Sequence, residues 1–180
     1  AWRLAQAAKG QGKPFPIFLG VNMDKHGQAS EKVMAIIRKH VLVVEQVGID
    51  EAYGDLSFTW TYKKAEAICR KIKADIKKQE KLTVSVGIAH NKFISKVASG
   101  IMKPNGLVAI KEEEAEKFLD PLPVRVIPGV GPKTETMLAG KGIKIVEDLK
   151  RFKREEITEM LGKLGAVLYE RARARDNSPV

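Results

Sequence analysis

An α+β domain followed by a small all-α domain is the fold class that these 180 residues predict, on three observations. Apolar runs of strand length alternate with amphipathic stretches in the order β-α-β-β-α-β-α-β up to residue 110. After Lys111 such runs cease, and short helical stretches follow, punctuated by Gly129, Gly131, Gly142, Gly162 and Gly165. The change is marked by Glu112-Glu113-Glu114, whose charge suits the N-terminal end of a helix. The expected architecture of the first part is a mostly antiparallel sheet with helices packed on one or both faces.

Residues 1–9 read as a helix, ended by Gly10, Gly12, Pro14 and Pro16. Ile17-Phe18-Leu19 reads as a short buried strand. Residues 24–40 have helical spacing, with Val33, Met34, Ile36 and Ile37 on one face and Glu31, Lys32, Arg38 and Lys39 on the other. Two β-prone runs, 41–47 and 53–58, flank Gly48-Ile49-Asp50-Glu51 and predict an antiparallel hairpin. Residues 63–80 make a strong helix, because Ala65, Ile68, Ile72 and Ile76 recur at three- and four-residue steps; seven Lys or Arg lie among them. Residues 82–89 alternate as a strand does, with Leu82, Val84, Val86 and Ile88 to one side. Asn91 is placed to cap a helix carrying Phe93, Ile94, Val97 and Ile101. Lys103-Pro104-Asn105-Gly106 stops that helix before a strand at 107–110. Short helices are expected at 124–127, 133–141, 145–152, 154–161 and 166–173.

Lys and Arg number 32 against 22 Asp and Glu, a formal charge of +10. Both parts share the excess, 20 to 14 in residues 1–120 and 12 to 8 in residues 121–180. The expected partner is a polyanion, nucleic acid before membrane, since no single basic amphipathic segment dominates. No apolar run approaches the roughly 18 residues of a membrane span, and no secretory h-region opens the chain. The one cysteine, Cys69, reads as packing; it excludes an internal disulfide and a cysteine-based metal cluster, and it fits a reducing, cytoplasmic compartment. His26, His40 and His90 lack metal-ligand spacing and read as surface or locally bonded. A phosphate-binding P-loop and a dinucleotide fingerprint are both missing. A chain opening on Ala1 rather than Met is expected to be a piece of a longer one.

Three stretches can carry chemistry. Asp50-Glu51 interrupts two hydrophobic strands, and adjacent carboxylates repel unless a cation lies between them. A divalent ion, most naturally Mg²⁺, resolves the repulsion; two solvated loop acids are the plainer alternative. Neighbours on a regular strand point to opposite faces, so both reach one metal only if the backbone bends at the tip. Next, Ile127-Pro128-Gly129-Val130-Gly131-Pro132-Lys133-Thr134 has the apolar-Gly-apolar-Gly pattern of a helix-hairpin-helix. Its glycines permit close backbone approach, and Lys133 opens a helix whose N–H groups would face a phosphate. An ordinary tight turn is the alternative there. Lastly, Lys92, Lys96 and Lys103 are placed to meet phosphates, or are simply solvated charges.

Together VEQVGIDEAYGDLS, LTVSVGIAHNKFISKVASGIMKPNGLVAI and LPVRVIPGVGPKTETMLAGKGIKIVEDL closely resemble the Y-family, lesion-bypass DNA polymerases, in their DNA polymerase IV-like branch. The resemblance covers nearly the whole chain, and YERARARDNSPV resembles the family's junction beyond the thumb. It implies a ferredoxin-like palm with an antiparallel sheet at 17–110, a helical thumb with a helix-hairpin-helix at 111–180, and a remnant of the fingers at 1–16. It implies that Asp50 and Glu51 are catalytic and help to hold two Mg²⁺ ions for two-metal nucleotidyl transfer. Lys103 then matches the lysine near the incoming deoxynucleoside triphosphate. Gly129, Val130, Gly131 and Lys133 match the element that grips the primer-template DNA. A sliding clamp is a further partner through regions outside this chain, and no membrane is implied.

The family's third carboxylate and aromatic steric gate lie on a first palm strand, which has no counterpart here; Asp24 follows a short strand in the wrong context to replace it. Gly48 stands where Ser is usual and Gly54 where a bulky apolar residue is usual, two changes expected to loosen the hairpin. The expected function is therefore error-prone, template-directed DNA synthesis past damaged bases, with this chain a partial catalytic core that is inactive alone. The competing reading is a non-catalytic DNA-binding module from a truncated or degenerate paralogue. A nucleotide cyclase, a third class, is opposed by the helical region from 111 onward.

Overall fold

The computed structural model describes residues 2–12 and 14–180. Ala1, in the expected first helix, and Lys13, in the expected finger remnant, lie outside the described residues. Helix α1 spans Trp2–Gly10 and α2 spans Met23–Arg38. Strands β1, Val44–Gln46, and β2, Ala52–Gly54, form the expected antiparallel hairpin, with Glu45 opposite Tyr53. Helix α3 spans Tyr62–Glu80, followed by β3 at Val86–Ile88, α4 at Lys92–Ile101 and β4 at Leu107–Ala109. Side-chain caps start three of these helices: Asn22, Thr61 and Asn91 accept the N–H groups of Lys25, Lys64 and Ile94.

Two features differ from the sequence reading. Ile17, Phe18 and Leu19 form no strand; they are 86%, 51% and 85% exposed. Apolar content supplies the tendency to pair, but none of the strand pairings among the described residues includes this segment, and Pro14 and Pro16 just before it lack N–H donors. Also, the strands make two separate pairs, of which only the first is antiparallel. Strand β3 pairs with β4 in parallel, Gly87 opposite Val108, because α4 crosses over between them. A cavity of about 1300 Å³ lies between the pairs, one wall running through residues 49–57 and another through residues 82–92.

The C-terminal part is built of α5 (Glu112–Leu119), a 3-10 turn at Val124–Val126, α6 (Pro132–Gly140), α7 (Val146–Leu149), α8 (Arg154–Leu161) and α9 (Lys163–Arg171). Its core does not stop at residue 111. Phe93, Ile94 and Val97 of α4 are buried in the same cluster as Leu119, Ile127, Ile157 and Leu168. A smaller cluster, Ile36, Val41, Ile72 and Ile76, joins α2 to α3. Helices α8 and α9 meet at Gly165, where a Cβ would overlap the Ile157 carbonyl oxygen.

Asp148 organises the start of α7. Its carboxylate accepts the N–H groups of Lys144 and Ile145 at 2.9 and 3.1 Å, and Arg151 stands 2.7 Å away. Those backbone bonds, with help from the Arg151 and Lys144 charges, hold its pKa below the usual carboxylate value against the opposing effect of burial. A depressed folded pKa means stability that is present above the unfolded value of about 3.9 and lost as pH falls through the folded one. Asp148→Ala is therefore expected to cost about 1–3 kcal/mol near neutral pH, because two N–H donors lose their acceptor. In urea titrations the gap between variant and parent should narrow as the pH drops below the unfolded carboxylate value of about 3.9.

Candidate functional site

The hairpin tip settles where the two acids point. Strand β1 ends at Gln46 and β2 resumes at Ala52, so Asp50 belongs to the loop and strand alternation does not apply to it. The N–H groups of Val47 and Gly48 both donate to the Glu51 carbonyl at 3.1 Å, which bends the chain as a bulge does. The Asp50 carboxylate folds back over the tip, its Oδ1 3.7 Å from where a Cβ on Gly48 would lie, an ordinary contact that a side chain there would tolerate. Asp50 and Glu51 both line the cavity. Gly54 leaves no gap, since its α-carbon is covered by buried Val41, whose Cγ1 would stand 3.1 Å from an added Cβ.

Glu51 is not a free anion. Its carboxylate pairs with Lys96 Nζ, and Glu45 likewise pairs with Lys92 Nζ, which sits 4.9 Å from the Tyr53 ring centre. Of the three lysines read as phosphate contacts, Lys92 and Lys96 are thus engaged by acids. The reason is visible in their four-residue spacing on α4: like charges one turn apart repel unless each meets an anion. Lys103 lines the same cavity and, among the described residues, has no acidic partner.

The turn carrying Lys103 is pinned by a residue that sequence reasoning passed over. Lys73 on α3 donates to the Val84 carbonyl, to Asn105 Oδ1 at 2.8 Å, and to the Asn105 and Gly106 carbonyls at 3.1 Å. Burial, followed by the Arg70 charge, lowers the Lys73 pKa. Gly106 has no room for a side chain, since a Cβ would overlap the Met102 carbonyl oxygen. The turn is therefore held from both sides.

Tyr53 completes this wall. Burial raises its pKa, aided by the negative charges of Glu51, Asp176 and Glu45. Asp176 arrives because the C-terminal residues fold back over the cavity. Asn91 Nδ2 donates to the Ala174 carbonyl at 2.7 Å, and Lys92 Nζ to that of Pro179 at 2.9 Å. No sequence signal pointed to that return. Of the remaining polar candidates, His40 is locally bonded, 2.8 Å from Asp75, and Cys69 is packed inside with its thiol pushed up to about 11 by burial.

The second predicted site lies elsewhere. Gly129, Val130, Gly131 and Lys133 do not line the cavity. They form a hairpin between the Val124–Val126 turn and α6, closed by a bond from the Val130 N–H to the Ile127 carbonyl at 3.0 Å. Gly129 has φ +99°, a left-handed conformation that only glycine adopts readily. Val130 is buried and anchors the tip, while a Cβ on Gly131 would meet nothing within 4 Å. Helix α6 starts with Pro132, leaving the following N–H groups and exposed Lys133 facing outward. Arg171 donates to the Pro128 carbonyl at 3.0 Å and lies 5.3 Å from the Phe93 ring centre, linking hairpin, α9 and α4.

Among the described residues no set of three or more His, Cys, Asp or Glu side chains could enclose a metal ion, and no helix is long and apolar enough to cross a membrane. The hairpin tip thus brings two adjacent carboxylates, one of them paired with Lys96, into a cavity that Lys103 also lines, and the hairpin at residues 129–131 lies apart from it.

Comparison with known proteins places these features. Residues 2–100 match the impB/mucB/samB family, and residues 125–176 match the DNA polymerase-iota thumb domain. DNA polymerase IV of Desulfatibacillum aliphaticivorans is 35% identical over 168 residues, 93% of this chain and 42% of that protein. DNA polymerase IV 2 of Methanosarcina mazei is 41% identical over 166 residues, 91% of this chain and 44% of that protein. The crystal structure of DinB from Sulfolobus solfataricus superposes with a TM-score of 0.87 at 31% identity, covering 98% of this chain and 52% of that one. The chain spans less than half the length of both curated relatives.

Proposed function

This chain belongs to the impB/mucB/samB family, with the α+β palm and helical thumb of the Y-family polymerases, and from that membership we propose that it serves template-directed DNA synthesis past damaged bases. The observation that carries this reading is the convergence of Asp50, Glu51 and Lys103 on one cavity. We assign residues 17–110 to the palm, 111–180 to the thumb and 1–16 to the end of the fingers. The substrates would be primer-template DNA and a deoxynucleoside triphosphate. The lone thiol, buried at Cys69, accords with a cytoplasmic site of action.

Asp50 and Glu51 would hold a Mg²⁺ ion. Their oxygen-only donor set suits that cation, and Glu51 already meets positive charge in the form of Lys96. Two carboxylates provide for one ion, and a second ion needs donors beyond these. When bound, the metal would stabilise negative charge on the primer hydroxyl and the triphosphate. Lys103, held in place by the Lys73-pinned turn, would take the charge of the triphosphate tail. The open amides after Gly131, with Lys133, would receive a backbone phosphate without reading sequence.

Binding to this chain tests both contacts. Lys103→Ala is expected to weaken Mg²⁺-dependent binding of a deoxynucleoside triphosphate about tenfold, the loss of one charge-assisted contact. Lys133→Ala should weaken duplex binding and make its log-log salt slope shallower by about one. Triphosphate binding indifferent to both Mg²⁺ and Lys103 would count against the reading. A second reading, a non-catalytic DNA-binding module from a truncated or degenerate paralogue, is favoured by the formal charge of +10 and the exposed glycines of the Gly129-Val130-Gly131 hairpin. The isolated chain is expected to extend a primer little or not at all on either reading. Extension by a full-length polymerase carrying this palm and thumb separates the two, since only the first expects synthesis.

A further inference from the structure

Six of the seven cations noted on the third helix are not scattered; the seventh, Lys73, is the one that pins the Asn105 turn. On α3, at 3.6 residues per turn, Lys63, Lys64, Arg70, Lys71, Lys77 and Lys78 recur in pairs every seven residues, and Lys81 extends the row just past the helix end. All are exposed, and exposed Ala67 and Ala74 sit between the pairs. The arc opposite carries the buried residues Ala65, Cys69, Ile72 and Ile76. The acids of the helix fall on its flanks, where Glu66 meets Arg70, Asp75 meets His40 and Glu80 meets Lys32. Apart from Arg70, no cation of the row has an acidic partner among the described residues. A helix surface serving only solubility interleaves both signs; here Lys77 and Lys78 face Lys81 one turn on, where like charges repel.

We propose that this row is a second docking surface for duplex DNA, on the side of α3 turned away from the cavity and separate from the palm and hairpin contacts. A row from residue 63 to 81 is about 27 Å long at about 1.5 Å per residue, matching about eight base pairs at about 3.4 Å each. The two alanines leave space for the backbone to approach. A membrane surface is a poorer partner, because the apolar face of α3 is already buried and has nothing to insert.

The test counts duplexes. In about 100 mM salt, sedimentation of the chain with excess duplex of about 12 base pairs should give two bound per chain, and Lys63→Gln/Arg70→Gln/Lys77→Gln should reduce this to one. A control with equal charge change, Lys9→Gln/Lys117→Gln/Lys153→Gln, should keep two. The row variant should also make the salt slope shallower by about 2–3, the control by less than about one. One duplex on the parent, still bound by the row variant, overturns this inference and leaves the hairpin reading standing. One duplex on the parent, lost in the row variant but not in Lys133→Ala, supports the row and overturns the hairpin. Equal losses in row variant and control would show only bulk charge and overturn the inference, as would binding of phosphatidylserine vesicles in place of DNA.

Discussion

Glu51→Gln in a full-length polymerase carrying this palm and thumb is expected to slow Mg²⁺-dependent primer extension by about a hundredfold or more, the scale of removing one group aimed at developing charge. DNA affinity should hold, because the hairpin contact lies outside the cavity. The rival account of Glu51 is that it merely anchors Lys96. A part-exposed pair of this kind, at 35% and 39% side-chain exposure, is worth about 0–1 kcal/mol of stability. If anchoring were its whole role, Glu51→Gln and Lys96→Met would behave alike. On the cation-binding account they diverge: losing Lys96 removes a competitor for the carboxylate, so half-saturation by Mg²⁺ should fall. Asp50→Asn should follow Glu51→Gln, since both acids face the same cavity. Extension at parental rate by either acid variant, or matching Mg²⁺ curves for Glu51→Gln and Lys96→Met, would refute the assignment.

Helices were the most readable elements, because their signals are local. The Asn91 cap and the 65-68-72-76 stripe both predicted what formed. Strands were readable as tendencies only. Residues 41–47 and 82–89 shrink to three paired residues each, and 17–19 to none, since pairing depends on a neighbour that a run of apolar side chains does not specify. The hairpin with Asp50 and Glu51 was visible because its turn and strands adjoin. What escaped were contacts between distant segments: Lys73 to Asn105, Arg171 to Pro128, Asn91 to Ala174. Lys92 and Lys96 were half visible, since two cations at i and i+4 require two anions, but the sequence does not say which. The burial of Phe93 and Ile94 in the C-terminal core could not be seen either, because their helical stripe fits a partner on either side of residue 111.

Gly87→Ala should have the largest effect on stability. Strand β3 runs so close to α4 that a Cβ at Gly87 would overlap the Ser95 carbonyl oxygen and sit 2.6 Å from Ser99 N. Both obstacles are backbone, so no side chain can swing aside. Helix α4 cannot retreat cheaply, because Phe93 and Ile94 are 2% and 0% exposed within the C-terminal core. Overpacking of flexible neighbours costs about 1–3 kcal/mol, and a rigid backbone contact should reach about 3 or more. For a chain of this size that is a melting point lower by roughly 6–12 °C. Gly100→Ala on the same helix is the control: nothing lies within 4 Å of its Cβ position, and relief of glycine's helical penalty should stabilise by about 0.5–1 kcal/mol. Calorimetry of the pair checks both signs, and a Gly87→Ala melting point at or above the parent's would show that strand and helix are not in contact as described. The effect should also reach the site. Lys96 rides on the helix that the added methyl group would push, so the variant should loosen the Lys96–Glu51 pair and alter half-saturation by Mg²⁺ although position 87 carries no charge.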